Sequence, residues 1–394
     1  MTKSLFTCNN TYSKMLVRYG QNAEGKQVRQ ALVYTKDEHH IAPEKIDIEA
    51  VKIIQRLNSQ GFEAYIVGGA VRDLLIGHIP KDFDIATSAE PSKIRKMFRN
   101  SRVIGRRFRL VHVFFGEKIY EVSTFRSTED GSIGNKFGTI DEDVHRRDFT
   151  LNALYYDPIH ELVIDYVGGV KDIREKKIRP IIPLKLIFSE DPVRMIRAIK
   201  YAAMTDSGIP FFVQLQIHKN AHLLEFVSPS RITEEINKII FSGHARDIIK
   251  KLLDFKLYVY LQPGACAFID SSSKFKEVYI ENLALLDKNI NIKPQIKQGE
   301  CLKPLLKDYI KLIADPEGQL QEVYTYVYKE CRHFILPMNP QRRELEFAVK
   351  SILNDLGIKV PMDRTQGRPA KLGKQTKHRR KKRVKKQDTQ KDTD

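Results

Sequence analysis

Two carboxylates, Asp82 and Asp84, stand two residues apart in the run KDFDIAT (residues 81–87). On an extended strand that spacing sends both side chains off one face, while Phe83 and Ile85 turn into a core. Carboxylates held this close repel each other unless a cation lies between them, and a hard ion such as Mg2+ takes oxygen ligands of this kind. In a two-metal site one ion activates an attacking hydroxyl and the other holds a triphosphate. By itself an Asp-x-Asp pair says little. About 14 residues earlier stands Gly68-Gly69, where the absence of side chains lets backbone amides approach phosphate oxygens. Arg72, just downstream, is a candidate triphosphate contact. Further on, RRDFTLN (146–152) offers a cation, an acceptor and an amide in Arg147, Asp148 and Asn152. In EDPVR (190–194), Asp191 suits a helix N-cap and Pro192 the first helical position. Arg194 and Arg197 then share one helix face. Glu121 sits in an apolar strand pattern, where a carboxylate needs a partner that the sequence does not show.

These residues must be held by ordinary elements. Ile48, Val51, Ile54 and Leu57 recur at helical spacing, so a helix is expected over 47–60. A buried strand over 64–67, the Gly-Gly turn and a short helix over 70–76 follow. A strand is expected over 82–87 and others over 110–115, 119–125, 151–156 and 164–167. The Ser/Thr/Gly/Asp-rich stretch 126–139 reads as a mobile loop. From Asp191 onward helical patterns take over, at 193–204, 229–241, 245–253, 302–314, 319–334 and 341–356. The expected fold class is therefore α+β. An N-terminal head (46–178) with a short mixed β-sheet follows a polar, loosely structured extension (1–45). After it come an all-α neck (179–242), a helical body (243–360) and a disordered basic tail (361–394).

With these pieces in order, the run AYIVGGAVRDLLIGHIPKDFDIATSAEPSKIRKMF (64–98) resembles the signature of class II RNA nucleotidyltransferases. That family comprises the tRNA CCA-adding enzymes and the bacterial poly(A) polymerases. EVSTFR (121–126), RRDFTLNALYYD (146–157) and SEDPVRMIRAIKYAA (189–203) match its later motifs in the same order. The match is dense from about residue 50 to 204 and diffuse beyond. The resemblance implies a nucleotidyltransferase head with catalytic Asp82, Asp84 and Asp148, and with Asp82, Asp84 and Glu121 as the acidic residues at the metals. It also implies that Gly68, Gly69, Arg72, Arg147, Asp148, Asn152, Asp191, Arg194 and Arg197 bind the nucleotide, with Asp191 and Arg194 reading its base. Mg2+ or Mn2+ would serve as cofactor and ATP as substrate. Within the family, GRRFRLVHV (105–113) looks like the poly(A) polymerase version. Polyadenylation of RNA 3′ ends is thus expected, with CCA addition from CTP and ATP as the alternative.

Composition is compatible with this. The net charge is +18, which favours polyanionic partners. Residues 364–394 hold 13 Lys or Arg against 3 Asp, so over half the excess sits in the tail. Arg106, Arg107 and Arg109, with Phe108 between them, read as a phosphate-contacting strip. Lys377, Arg379, Arg380, Lys381, Lys382 and Arg383 read as a flexible arm that captures RNA by salt-sensitive attraction. Expected partners are mRNA, regulatory or structured RNA, and RNA-decay machinery. The four cysteines show no metal spacing and read as reduced thiols. No run of 18 apolar residues and no signal peptide is present, so the cytoplasm is the expected location.

Overall fold

The computed structural model describes residues 16–21, 27–105, 110–127, 136–292 and 296–362. Among these, nine strands form one mixed sheet in the order β1-β2-β9-β8-β3-β4-β7-β6-β5. The strands are β1 (Leu16–Gln21), β2 (Gln27–Tyr34), β3 (Ala64–Val67), β4 (Ile85–Thr87), β5 (Ser101–Ile104), β6 (Leu110–Phe115), β7 (Lys118–Thr124), β8 (Leu154–Asp157) and β9 (Leu162–Asp165). All neighbours run antiparallel except β4 and β7, whose parallel register sets Ile85 beside Val122.

Two sequence expectations change here. Residues 16–34, expected within a loosely structured extension, supply β1 and β2. Leu32 and Val33 pair with Asp165 and Ile164 of β9, so a short apolar run gains its conformation from a partner far along the chain. Ala31, Val33 and Tyr34 of β2 are buried. The strand expected from Asp82 begins instead at Ile85. Asp82 and Asp84 therefore stand on the segment that leads into β4, and the Val67 amide donates to the Asp84 carbonyl at 3.0 Å. That bond ties the end of the Gly-Gly strand to the carboxylate segment.

Helix α1 (Ile48–Ser59) is capped by Asp47, whose side chain accepts from the Glu49 amide at 2.9 Å. It buries Ala50, Ile53, Ile54 and Leu57 at three- and four-residue spacing against the sheet. Helix α2 (Gly69–Leu75) leaves β3 at the Gly-Gly turn, and α3 (Ile140–His145) covers the opposite face with Ile140 and Val144.

The remainder is helical. It includes α4 (Val193–Met204), α5 (Pro229–Ile240), α6 (Ala245–Asp254), α7 (Ser273–Ile292), α8 (Gln298–Ile313), α9 (Leu320–Phe334) and α10 (Arg342–Asp355). These helices share one continuous apolar core, which Phe149 and Leu151 join from the head. Inside it, Lys200 of α4 and Glu235 of α5 form a buried ion pair at 2.8 Å. Among the described residues no helix is long and apolar enough to cross a membrane. The Arg106–Arg109 strip, the centre of the 126–139 loop and the basic tail lie outside the described residues.

Candidate active site

Where the sheet meets α4 and α5, a cleft of about 1140 Å³ opens. Its lining includes Gly68, Gly69, Arg72, Asp82, Asp84, Arg147, Asp148, Asn152, Asp191, Arg194 and Arg197. Segments far apart in sequence thus meet at one place. Glu121 is not among the lining residues; it is half-exposed and its carboxylate lies 3.3 Å from His112 Nε2.

The Gly-Gly turn depends on backbone freedom. Gly68 has φ +68° and ψ −126°, a conformation that L side chains rarely adopt. A Gly68→Ala variant should lose about 1–3 kcal/mol of stability, seen as a lower urea midpoint, and should bind nucleotide more weakly. Unchanged stability would mean that the turn relaxes freely.

Below the turn lies a buried polar network. Asp143 of α3, 1% exposed, receives the guanidinium groups of Arg146 and Arg147 and the Tyr155 hydroxyl at 2.5, 2.8 and 2.6 Å. Burial alone would raise its pKa, but Arg147, Arg146 and the Tyr155 bond hold the carboxyl well below the usual range. Arg147 so fixed donates to the Asn152 carbonyl at 3.2 Å and lies under Gly68. Arg72, 4% exposed, is also committed: it donates to Asn152 Oδ1 at 2.8 Å and to Asp73 at 2.7 Å, and stacks 5.1 Å from the Tyr201 ring. Asp148 Oδ1 accepts from the Phe149 amide at 2.8 Å. Its Oδ2 lies 3.0 Å from Arg197 of α4, but without hydrogen-bond alignment, so this contact is an ion pair only. Arg197 in turn leans on the Tyr201 hydroxyl at 3.2 Å.

The base-reading candidates carry partners too. Both Asp191 oxygens accept from Arg231 at 2.8 and 2.9 Å, and Asp191 also accepts from the Val193 amide at 3.2 Å. Arg194 donates to the Ile187 carbonyl at 3.1 Å and to Glu190 at 3.0 Å.

Asp82 and Asp84 are exposed to the cleft. Crowding by surrounding protein, with Glu121 and Asp82 nearby, pushes Asp84 from 3.8 up to about 6. Since cleft water still reaches this carboxylate, confinement disfavours its charge less than full burial would. A divalent cation relieves this tension, so the donor chemistry fits one. Among the described residues no three His, Cys, Asp or Glu side chains converge on a single point. The pair therefore suits an ion that completes its shell with water and phosphate oxygens, as Mg2+ does.

Several cleft residues were not singled out from sequence. Lys81 donates to the Phe241 and Ser242 carbonyls at 2.8 and 2.9 Å. It places a cation at the negative end of α5 and ties the carboxylate segment to the helical part. Arg146, Lys200, Tyr201 and Lys238 also line the cleft. The basic run Arg146-Arg147 was the one available signal; a bond to a backbone carbonyl far downstream leaves none.

With this geometry in view, residues 64–179 match the model of the poly A polymerase head domain. Over these residues the chain is similar to poly(A) polymerases and CCA-adding enzymes. Residues 213–269 of the same chain match a probable RNA and SrmB-binding site of polymerase A. The chain is 41% identical over 271 residues to poly(A) polymerase I of Escherichia coli O6:H1, covering 64% of this chain and 58% of that protein. It is 37% identical over 217 residues to a CCA-adding enzyme of Lactobacillus helveticus, covering 53% and 54% of the two chains. Among solved structures, the CCA-adding enzyme of Bacillus stearothermophilus in complex with CTP aligns with TM-score 0.51 and 26% identity, over 79% of this chain and 83% of that one. The chain thus spans about three fifths of the length of the poly(A) polymerase it matches. The cleft is lined in part by residues of the segment that matches the head-domain model.

Proposed function

We propose that this chain extends RNA 3′ ends with AMP taken from ATP, without a template and with release of pyrophosphate. The observation that carries the reading is the convergence of the Asp82/Asp84 pair, the Gly68-Gly69 turn and the cationic α4 face on one cleft. Asp82 and Asp84 would hold Mg2+ or Mn2+, which supplies charge neutralisation of the triphosphate and a more acidic 3′ hydroxyl. The Gly-Gly amides approach the phosphates, Arg147 and Arg72 brace the turn from beneath, and Asp148 faces the sugar. Asp191 and Arg194 meet the base by exchanging their present partners. Glu121 stands beside the ion site and acts on Asp84 through its charge.

Poly(A) addition is favoured over CCA addition by the longer and higher match to poly(A) polymerase I and by the GRRFRL run (105–110). Arg106, Arg107, Arg109 and the basic tail at Lys377 and Arg379–Arg383 then bind RNA phosphates on its way to the cleft. The product would mark RNA for decay in the cytoplasm. The test offers each single nucleoside triphosphate with two primers, an unstructured RNA and a tRNA lacking its terminal CCA. ATP-dependent growth of the unstructured RNA is expected. Preferential CTP incorporation on the tRNA, halting after about three additions, would replace this reading with CCA addition.

A further inference from the structure

A second pocket, of about 590 Å³, lies between α9 and α10. Its size falls in the range of ligand sites. Its walls carry Lys329, Arg332, His333 and Arg342, and no carboxylate is among the lining residues. Lys329, Arg332 and His333 stand at i, i+3 and i+4, so they share one face of α9. Of the four, Arg342 is the one paired with a carboxylate among the described residues, that of Glu346 on its own helix at 2.7 Å. The floor is apolar, built from Ile335, Leu336, Met338 and Leu345, with Tyr328 at one side. Like charges gathered over an apolar floor cost free energy unless an anion neutralises them. A bare phosphate would use the cations and leave the floor idle, whereas a nucleoside phosphate uses both.

The position of this pocket matters as much as its chemistry. The amide of Asn339, a lining residue, donates to Thr233 Oγ1 of α5 at 2.9 Å. The next residue, Glu234, and Lys238 one turn on line the nucleotidyltransferase cleft. The two cavities therefore flank one helix, about 10–12 Å across with its side chains. A strand of a few nucleotides reaches from one to the other.

We propose that the pocket holds a nucleoside phosphate unit of the RNA primer, upstream of the 3′ end in the cleft. The proposal rests on RNA being the acceptor, and it is read by binding alone, so a protein that adds no AMP would overturn the proposed activity without touching this measurement. The full chain is titrated against labelled RNAs of about 2 nucleotides, too short to span both cavities, and about 20 nucleotides, and against labelled AMP. The variant Lys329→Ala/Arg332→Ala changes two exposed side chains, and an unchanged melting temperature verifies its fold. It should bind the longer RNA about tenfold more weakly and the short one as before. Two lost phosphate contacts should also lower the salt dependence on single strands by about 1.4 in log–log slope. Lys329→Arg/Arg332→Lys, which keeps both charges, should restore most of the affinity. Equal affinity of the alanine variant for both RNAs relative to the unaltered protein would overturn the proposal. So would a loss confined to free AMP, which would make the occupant a mononucleotide.

Discussion

Asp82→Asn/Asp84→Asn should reduce AMP transfer at least roughly a thousandfold while RNA binding stays within about twofold. A metal at such a site supplies several kcal/mol of transition-state stabilisation, and about 4 kcal/mol corresponds to a factor of roughly a thousand. The amide keeps the shape of the carboxylate and removes its charge, so a fall in rate reports the charge. The same substitution at Asp84 alone should stabilise the protein in EDTA. Its folded pKa of about 6 lies above the ordinary 3.8, so the folded state holds the proton more tightly than the unfolded state. The resulting penalty grows as pH rises from about 4 through 6 and persists above. Discounting for the water that reaches the side chain, the gain at pH 7 is about 1 kcal/mol. A slower enzyme that is also more stable separates a catalytic carboxylate from a structural one. Retained transfer, measured as labelled AMP incorporated into primer, would remove both residues from the metal site.

Asp143→Ala should act in the opposite direction, lowering stability by about 3–5 kcal/mol, because Arg146 and Arg147 lose their shared buried partner. The Tyr155 hydroxyl loses its acceptor at the same time. The pKa of Asp143 is depressed in the folded state. Its stabilisation is therefore complete above about pH 4 and is lost as pH falls through the depressed value. Urea unfolding followed from pH 7 down to pH 3 should show the unaltered protein losing stability in acid and the variant losing less. Because Arg147 braces the Gly-Gly turn, the KM for ATP should rise with the fall in stability. A variant as stable as the parent would mean that the arginines find other partners.

Elements with a strong local pattern were legible in the sequence. The strand 64–67 and the helix 193–204 fall where spacing placed them. Two of the elements that were missed depend on partners elsewhere in the chain. Strand β2 has only a brief apolar run, and it is held between β1 and the distant β9. The apolar stripe of α7 is interrupted by Asn282, which is buried and donates to Asp308 of α8 at 2.6 Å. No local pattern reveals that such a polar residue is satisfied. The cleft residues were legible by motif order, and the structure gathers all of them except Glu121 on one surface. Their internal pairing was not legible. Arg72, a candidate triphosphate contact by sequence, is bound to Asn152 across 80 residues of chain, and nothing in the run IDEDVH (140–145) marks Asp143 as the buried acid among its neighbours.

The Lys81 tie has a consequence for synthesis on the ribosome. Its acceptors lie 160 and 161 residues further along the chain, well after Asp165, where the sheet's last strand ends. At about 5–20 residues per second, the sheet is fully emerged roughly 4–15 s before Ser242 leaves the exit tunnel. During that interval the nascent chain carries Asp82 and Asp84 without the helix that walls their cleft. Substrate-binding geometry is therefore a property of the longer chain, reached in a second step after the head has closed.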